Sequence, residues 1–177
     1  LLKKDFEKVF PILQTFSTHS SANMRRCVAI AVRNAGNLRK EEWAEHLIRL
    51  LEPIISDKTV YVRKNVGPYA IGDGLLRCYP DFTLKHLHRW AYRKDEGTLW
   101  NVAMAFASYG GNKNWRKGMK ILGKLAADER RYVWRSAASA LVYLARRHFE
   151  IRDLLKAWLK DSKRAKVAKT ALKYIKD

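Results

Sequence analysis

Apolar residues recur three and four positions apart along nearly the whole chain, and no segment alternates in the two-residue rhythm of a half-buried strand. That spacing predicts helices throughout. Residues 133–144 show it most clearly: Val133, Ala137, Ala140, Leu141 and Leu144 fall on one stripe, with polar residues between them. Helix-stopping groups punctuate the pattern at Gly36-Asn37, Tyr79-Pro80-Asp81 and Gly110-Gly111-Asn112. Shorter turn signals lie between these stops, at Asp57, residues 95–97, Asp128 and Asp161.

One short motif returns at the start of a helix after each turn. It reads Asn23-Met24-Arg25-Arg26, Tyr61-Val62-Arg63-Lys64, Thr98-Leu99-Trp100-Asn101, Tyr132-Val133-Trp134-Arg135 and Lys166-Val167-Ala168-Lys169. Its second residues lie 38, 37, 34 and 34 positions apart. A first helix precedes each copy, over roughly 5–16, 41–56, 81–93, 114–127 and 149–160, and Leu87 and Trp90 align with Leu155 and Trp158. Two helices per period of this length mean stacked helix pairs, because one pair cannot bury its own apolar face. The expected fold is all-α: a right-handed α-solenoid of about five repeats, near 1–37, 38–80, 81–112, 113–148 and 149–177, forming a single domain over 1–177.

The register places side chains. With the second motif residue turned inward, the third points about 100° away and the fourth about 200° away. Stacking then makes two columns. The first is Arg25, Arg63, Trp100, Trp134 and Ala168; the second is Arg26, Lys64, Asn101, Arg135 and Lys169. Neither contains an acid. Cations beside aromatic planes suit a nucleic-acid backbone and its bases, so Arg26, Arg63, Lys64, Asn101, Arg135 and Lys169 are the candidate DNA contacts. Small residues beside them, Ala105, Ser108 and Ser139, would let a bulky rod approach. A second role is open to Arg63, that of a structural partner for a turn aspartate such as Asp57, and Trp100 and Trp134 can equally pack between units.

The second unit is irregular. Gly67, Pro68, Gly72 and Gly74 crowd its second helix, where each interior glycine costs about 1 kcal/mol and an interior proline about 3. The helix is expected to bend or end there. Run straight, it would set Asp73 about 20° from Val62, on the core stripe. An unpaired carboxylate there is expensive, so either the break turns Asp73 outward or a base pairs with it. Asp73 is thus a candidate catalytic or cation-stabilising group, with the cap of a broken helix as the other reading.

Charge sharpens the choice of partner. The 177 residues carry 36 Lys and Arg against 17 Asp and Glu, a formal net charge of +19. This points to a polyanion, nucleic acid being the commonest such partner and an anionic membrane surface the other reading. No apolar run is long enough to span a membrane. Lys3, Lys4, Asp5, Glu7 and Lys8 interrupt the first apolar stretch, unlike a secretory leader. Cys27 and Cys78 sit in apolar segments and read as buried free thiols of a reducing cytoplasm. The five histidines have no metal-ligand spacing, and no phosphate loop or nucleophile elbow is present, so no metal and no cofactor is expected.

The run Tyr61-Val62-Arg63-Lys64-Asn65-Val66, then Tyr79-Pro80-Asp81, Leu84, Leu87, Trp90-Ala91 and Leu99-Trp100 resembles the HEAT-like repeats of bacterial DNA alkylation repair proteins of the AlkC and AlkD type. The match covers roughly 57–107. The resemblance implies a C-shaped solenoid whose second helices line a basic concave face on duplex DNA, a monomer of the prokaryotic cytoplasm associated with the nucleoid. It also implies a glycosylase that excises N3- or N7-alkylated purines without metal or cofactor, a carboxylate and aromatic rings stabilising the oxocarbenium-like state. Asp73, Trp100 and Trp134 are the catalytic candidates on that reading. Asp73 is offset by one or two residues from the acidic position of the AlkC branch, and the Trp-x-x-x-Asp arrangement of the AlkD branch is absent. The alternative is a non-enzymatic HEAT-repeat scaffold that binds an acidic protein partner.

Overall fold

The computed structural model describes residues 5–175; the ends of the first and last expected repeats, 1–4 and 176–177, lie outside the described residues. Among the described residues every regular element is a helix. The first helices are α1 (Phe6–Ser17), α3 (Ala44–Leu51, entered through a 3-10 turn at Glu41–Trp43), α5 (Pro80–Trp90), α8 (Trp115–Ala126) and α10 (Phe149–Trp158). The second helices are α2 (Ala22–Gly36), α4 (Val60–Asn65) with its continuation, α6 (Glu96–Ala105), α9 (Arg131–Ala145) and α11 (Ala165–Lys173). The chain is an α-solenoid of stacked helix pairs, in which α2, the α4 continuation, α6, α9 and α11 pack side by side as one row.

Local chemistry sets the boundaries. Pro80 opens α5, where its missing N–H costs no helix bond. Asp95 caps α6 by accepting from the Thr98 amide at 2.7 Å. The core runs unbroken along the row: Val62, Val133 and Val167 have no exposed surface, and Leu99 almost none. The stripe Val133, Ala137, Ala140, Leu141 and Leu144 is buried throughout, as the spacing predicts. Met24, at the equivalent position of the first unit, is instead 36% exposed. Cys27 is exposed rather than buried, because its position on α2 faces away from the row; both cysteines are free.

The glycine-rich segment does not end the helix. It widens into a π-helix over Val66–Leu76, directly continuing α4. The glycines serve close approach. A Cβ on Gly67 would lie 2.8 Å from the Asn101 carbonyl and side-chain oxygens, and one on Gly72 would lie 2.4 Å from Ser108 Oγ and 2.6 Å from the Ala105 carbonyl. Bare backbone is what lets this segment seat against α6 and the turn beyond it.

That contact overturns two exposure expectations. Ala105 is fully buried and Ser108 nearly so, since the π segment rests on them; Ser139 alone of the small stripe is exposed. Gly110 and Gly111 also depart from the reading as a stop, because they lie inside a short helix, α7 (Tyr109–Lys113). Ser108 caps α7, accepting from the Gly111 amide at 2.9 Å while donating to the Ala105 carbonyl at 2.7 Å.

Candidate nucleic-acid interface

The turns between paired helices and the starts of the second helices hold several inter-unit polar contacts. Asp57 shows the device. Its carboxylate accepts from the Thr59 amide at 2.8 Å and from Arg25 Nε at 2.5 Å, and Arg25 also donates to the carbonyls of His19 and Ser20. Asp57 is 4% and Arg25 18% exposed at the side chain, so the pair is screened from water. Burial pushes the Asp57 carboxyl up, but the hydrogen bonds from Arg25 and the Thr59 amide outweigh it and hold the group below the ordinary carboxylate range. Asp128 with Arg130 and Asp161 with Arg164 repeat the turn contact within their own units. These arginines are committed to the fold.

Arg63 is committed too. Its Nη1 donates to the carbonyls of Asp57 (2.8 Å) and Lys58 (2.5 Å), and its Nε donates to the Tyr132 hydroxyl at 3.1 Å. Its guanidinium also lies 5.6 Å from the Tyr132 ring centre. Arg63 therefore combines the structural role left open by the sequence with a reach across the third unit to the fourth. Arg26 is half-buried, with its guanidinium 4.5 Å over the Tyr61 ring.

Asn101 corrects the second column. It has no exposed surface. Its Oδ1 accepts from the Gly67 amide at 2.8 Å and its Nδ2 donates to the Ile55 carbonyl at 2.6 Å. The close seating of the π segment turns this position toward a neighbouring helix instead of solvent, and the side chain satisfies two backbone groups there. It is unable to meet a ligand from that place.

The two tryptophans part company. Trp134 packs against the core with the Lys166 ammonium 5.8 Å from its ring, an inter-unit contact. Trp100 stacks on Tyr132, centroids 6.2 Å apart and planes 16° apart, and lines a surface cavity of about 440 Å³. The other lining residues are Arg131, Tyr132, Arg135, Ser136 and Ser139. Neither Asp73 nor Trp134 is among them, so the three catalytic candidates do not share this cavity. Asp73 is half-buried, and its Oδ1 accepts from the Tyr109 amide at 2.9 Å, holding the start of α7. The expected cap of a break in its own helix does not arise, since Asp73 sits inside the continuous π segment and engages a different helix.

Among the described residues, Lys64, Arg131, Arg135 and Lys169 are exposed in the first two turns of the second helices without a carboxylate partner, and Lys173 is likewise exposed at the end of α11. The exposed rings of Tyr61 and Tyr132 accompany them on the same first turns. Sequence reasoning named three of these cations but not Arg131, Lys173, Tyr61 or Tyr132. The available signal was the tyrosine at the first motif position in the second and fourth units, which reads from the sequence only as a helix opener. Among the described residues no group of three His, Cys, Asp or Glu is placed to hold a metal ion, and no helix is long and apolar enough to cross a membrane.

No protein-family model and no curated protein matches this chain. Among solved structures it is similar to a designed armadillo repeat protein, YIII(Dq.V1)4CPAF, in complex with the peptide (KR)4. That likeness has 17% identity and a TM-score of 0.46 over 99% of this chain and 85% of the other.

Proposed function

We propose that this chain binds duplex DNA through the first turns of its second helices. The observation that carries the reading is the set of exposed cations Lys64, Arg131, Arg135 and Lys169, lacking carboxylate partners, on a chain of net charge +19. Most other cations of these turns are held by aspartates, carbonyls or rings, so their charge is partly spent. The four exposed ones are available to displace counterions from phosphates, the term that dominates non-specific affinity for DNA. Tyr61 and Tyr132 supply flat apolar surface between them.

Base excision is not part of the reading. The Asp73 carboxylate is engaged by the Tyr109 amide, and no carboxylate lines the cavity beside Trp100. Competition tests the partner class. A labelled duplex is bound first and then challenged with unlabelled duplex or with polyglutamate at equal charge. Duplex should displace the label at far lower concentration. Polyglutamate competing equally would favour an acidic protein partner and sink the assignment to DNA.

A further inference from the structure

We infer that the cavity beside Trp100 is a subsite for a single unpaired nucleotide, with the base against the Trp100–Tyr132 wall and the phosphate between Arg131 and Arg135. This rests on the DNA-binding reading above and adds to it a structure preference that a uniform basic face would not have.

Geometry supplies the first argument. Arg131, Arg135 and Ser139 follow one another at four-residue spacing along α9, so they share one helix face. Tyr132 lies beside them, and Trp100 closes the far side from α6 with its ring nearly parallel to the tyrosine. At about 440 Å³ the cavity falls in the range of small-ligand pockets, larger than a lone ion needs.

Charge supplies the second. Two arginines four apart on a helix repel and weaken it. Neither has a carboxylate partner, and the cavity they line contains none. An anion between them removes that repulsion. An aromatic wall joined to an anion site matches the two halves of a nucleotide, base and phosphate.

Preorganisation supplies the third. Tyr132 is exposed yet fixed: Arg63 donates to its hydroxyl at 3.1 Å and lies over its ring, and Trp100 stacks on it. Arg63 is itself anchored on the Asp57 and Lys58 carbonyls. The wall therefore loses little freedom when a base settles on it. Arg63 is a positioning residue here, acting through Tyr132.

The test compares a fully paired duplex with the same duplex carrying one unpaired adenosine, both end-labelled and titrated by fluorescence anisotropy. The wild-type protein should bind the bulged duplex about tenfold more tightly, the order that stacking one base on an aromatic ring contributes. Ser139→Trp fills the cavity from an exposed position without removing a charge. It should abolish the difference between the two duplexes. Trp100→Ala should do the same, with thermal melting confirming that both variants are folded. Equal wild-type affinity for the two duplexes would overturn the subsite and leave DNA binding standing. A preference that survives Ser139→Trp would overturn its assignment to this cavity. Binding to neither duplex would overturn the DNA-binding reading together with the subsite.

Discussion

Replacing Asn101 with alanine isolates the contact on which the middle of the solenoid depends. The substitution deletes the acceptor for the Gly67 amide and the donor to the Ile55 carbonyl, at 2.8 and 2.6 Å. Asn101 has no exposed surface, so water does not readily replace either bond. Each buried group left unsatisfied costs about 1–3 kcal/mol. Alanine recovers roughly 0.5 kcal/mol through its better helix propensity. The net loss should be about 2–5 kcal/mol, a large share of the roughly 5–15 kcal/mol that a domain possesses. Urea unfolding followed by far-UV circular dichroism measures it. Asn101→Asp adds a signed check. The aspartate keeps the acceptor but faces the Ile55 carbonyl with a carboxylate, so its folded-state pKa should rise above the unfolded value. That variant should gain stability as pH falls, because its folded state then binds the extra proton. If Asn101→Ala lost less than about 0.5 kcal/mol and instead weakened DNA binding, the buried-bracket account would be wrong and the residue would return to the binding surface.

Three other outcomes follow from named contacts. Asp57 has a depressed pKa, so its contribution is present above the unfolded value near 4 and is lost as pH falls through the folded one; Arg25→Met should therefore flatten the acid limb of a stability–pH curve measured by urea unfolding, and an unchanged limb would contradict the pairing. Asp73→Ala should cost about 0.5–2 kcal/mol by removing the acceptor at the start of α7. When wild type and Asp73→Asn are incubated with N-methylated duplex DNA, neither should release free base; release by wild type that Asp73→Asn abolishes would restore the catalytic role.

The fold was legible because its information is local and repeated. Helical spacing, turn aspartates and Pro80 all act within a few residues, and the recurring motif ties the pairs together. The exposed positions Lys64, Arg135 and Lys169 followed from the same register, since a straight helix fixes which residue points where. Asn101 and Ser108 escaped it for one shared reason. The glycine pattern announced an irregular segment, but not that it would widen into a π-helix and seat directly on α6 and the turn after it. The wall at Tyr132 escaped for another: its partner Arg63 lies two units away, a pairing that needs the superhelical path rather than the period. Cys27 shows the same limit, because an apolar neighbourhood in sequence does not say which face a residue takes.

The salt dependence of duplex binding tests the central claim most directly. Dissociation constants are measured for wild type and for the double variant Lys64→Glu/Arg135→Glu across a salt series, with melting curves showing both proteins folded. If the four exposed cations each meet a phosphate, log Kobs should fall against log salt with a slope of about −3.5. The double variant should bind more weakly at every salt concentration, with a slope shallower by about two. A duplex affinity that ignores salt, or a double variant that binds as wild type does, would contradict the account.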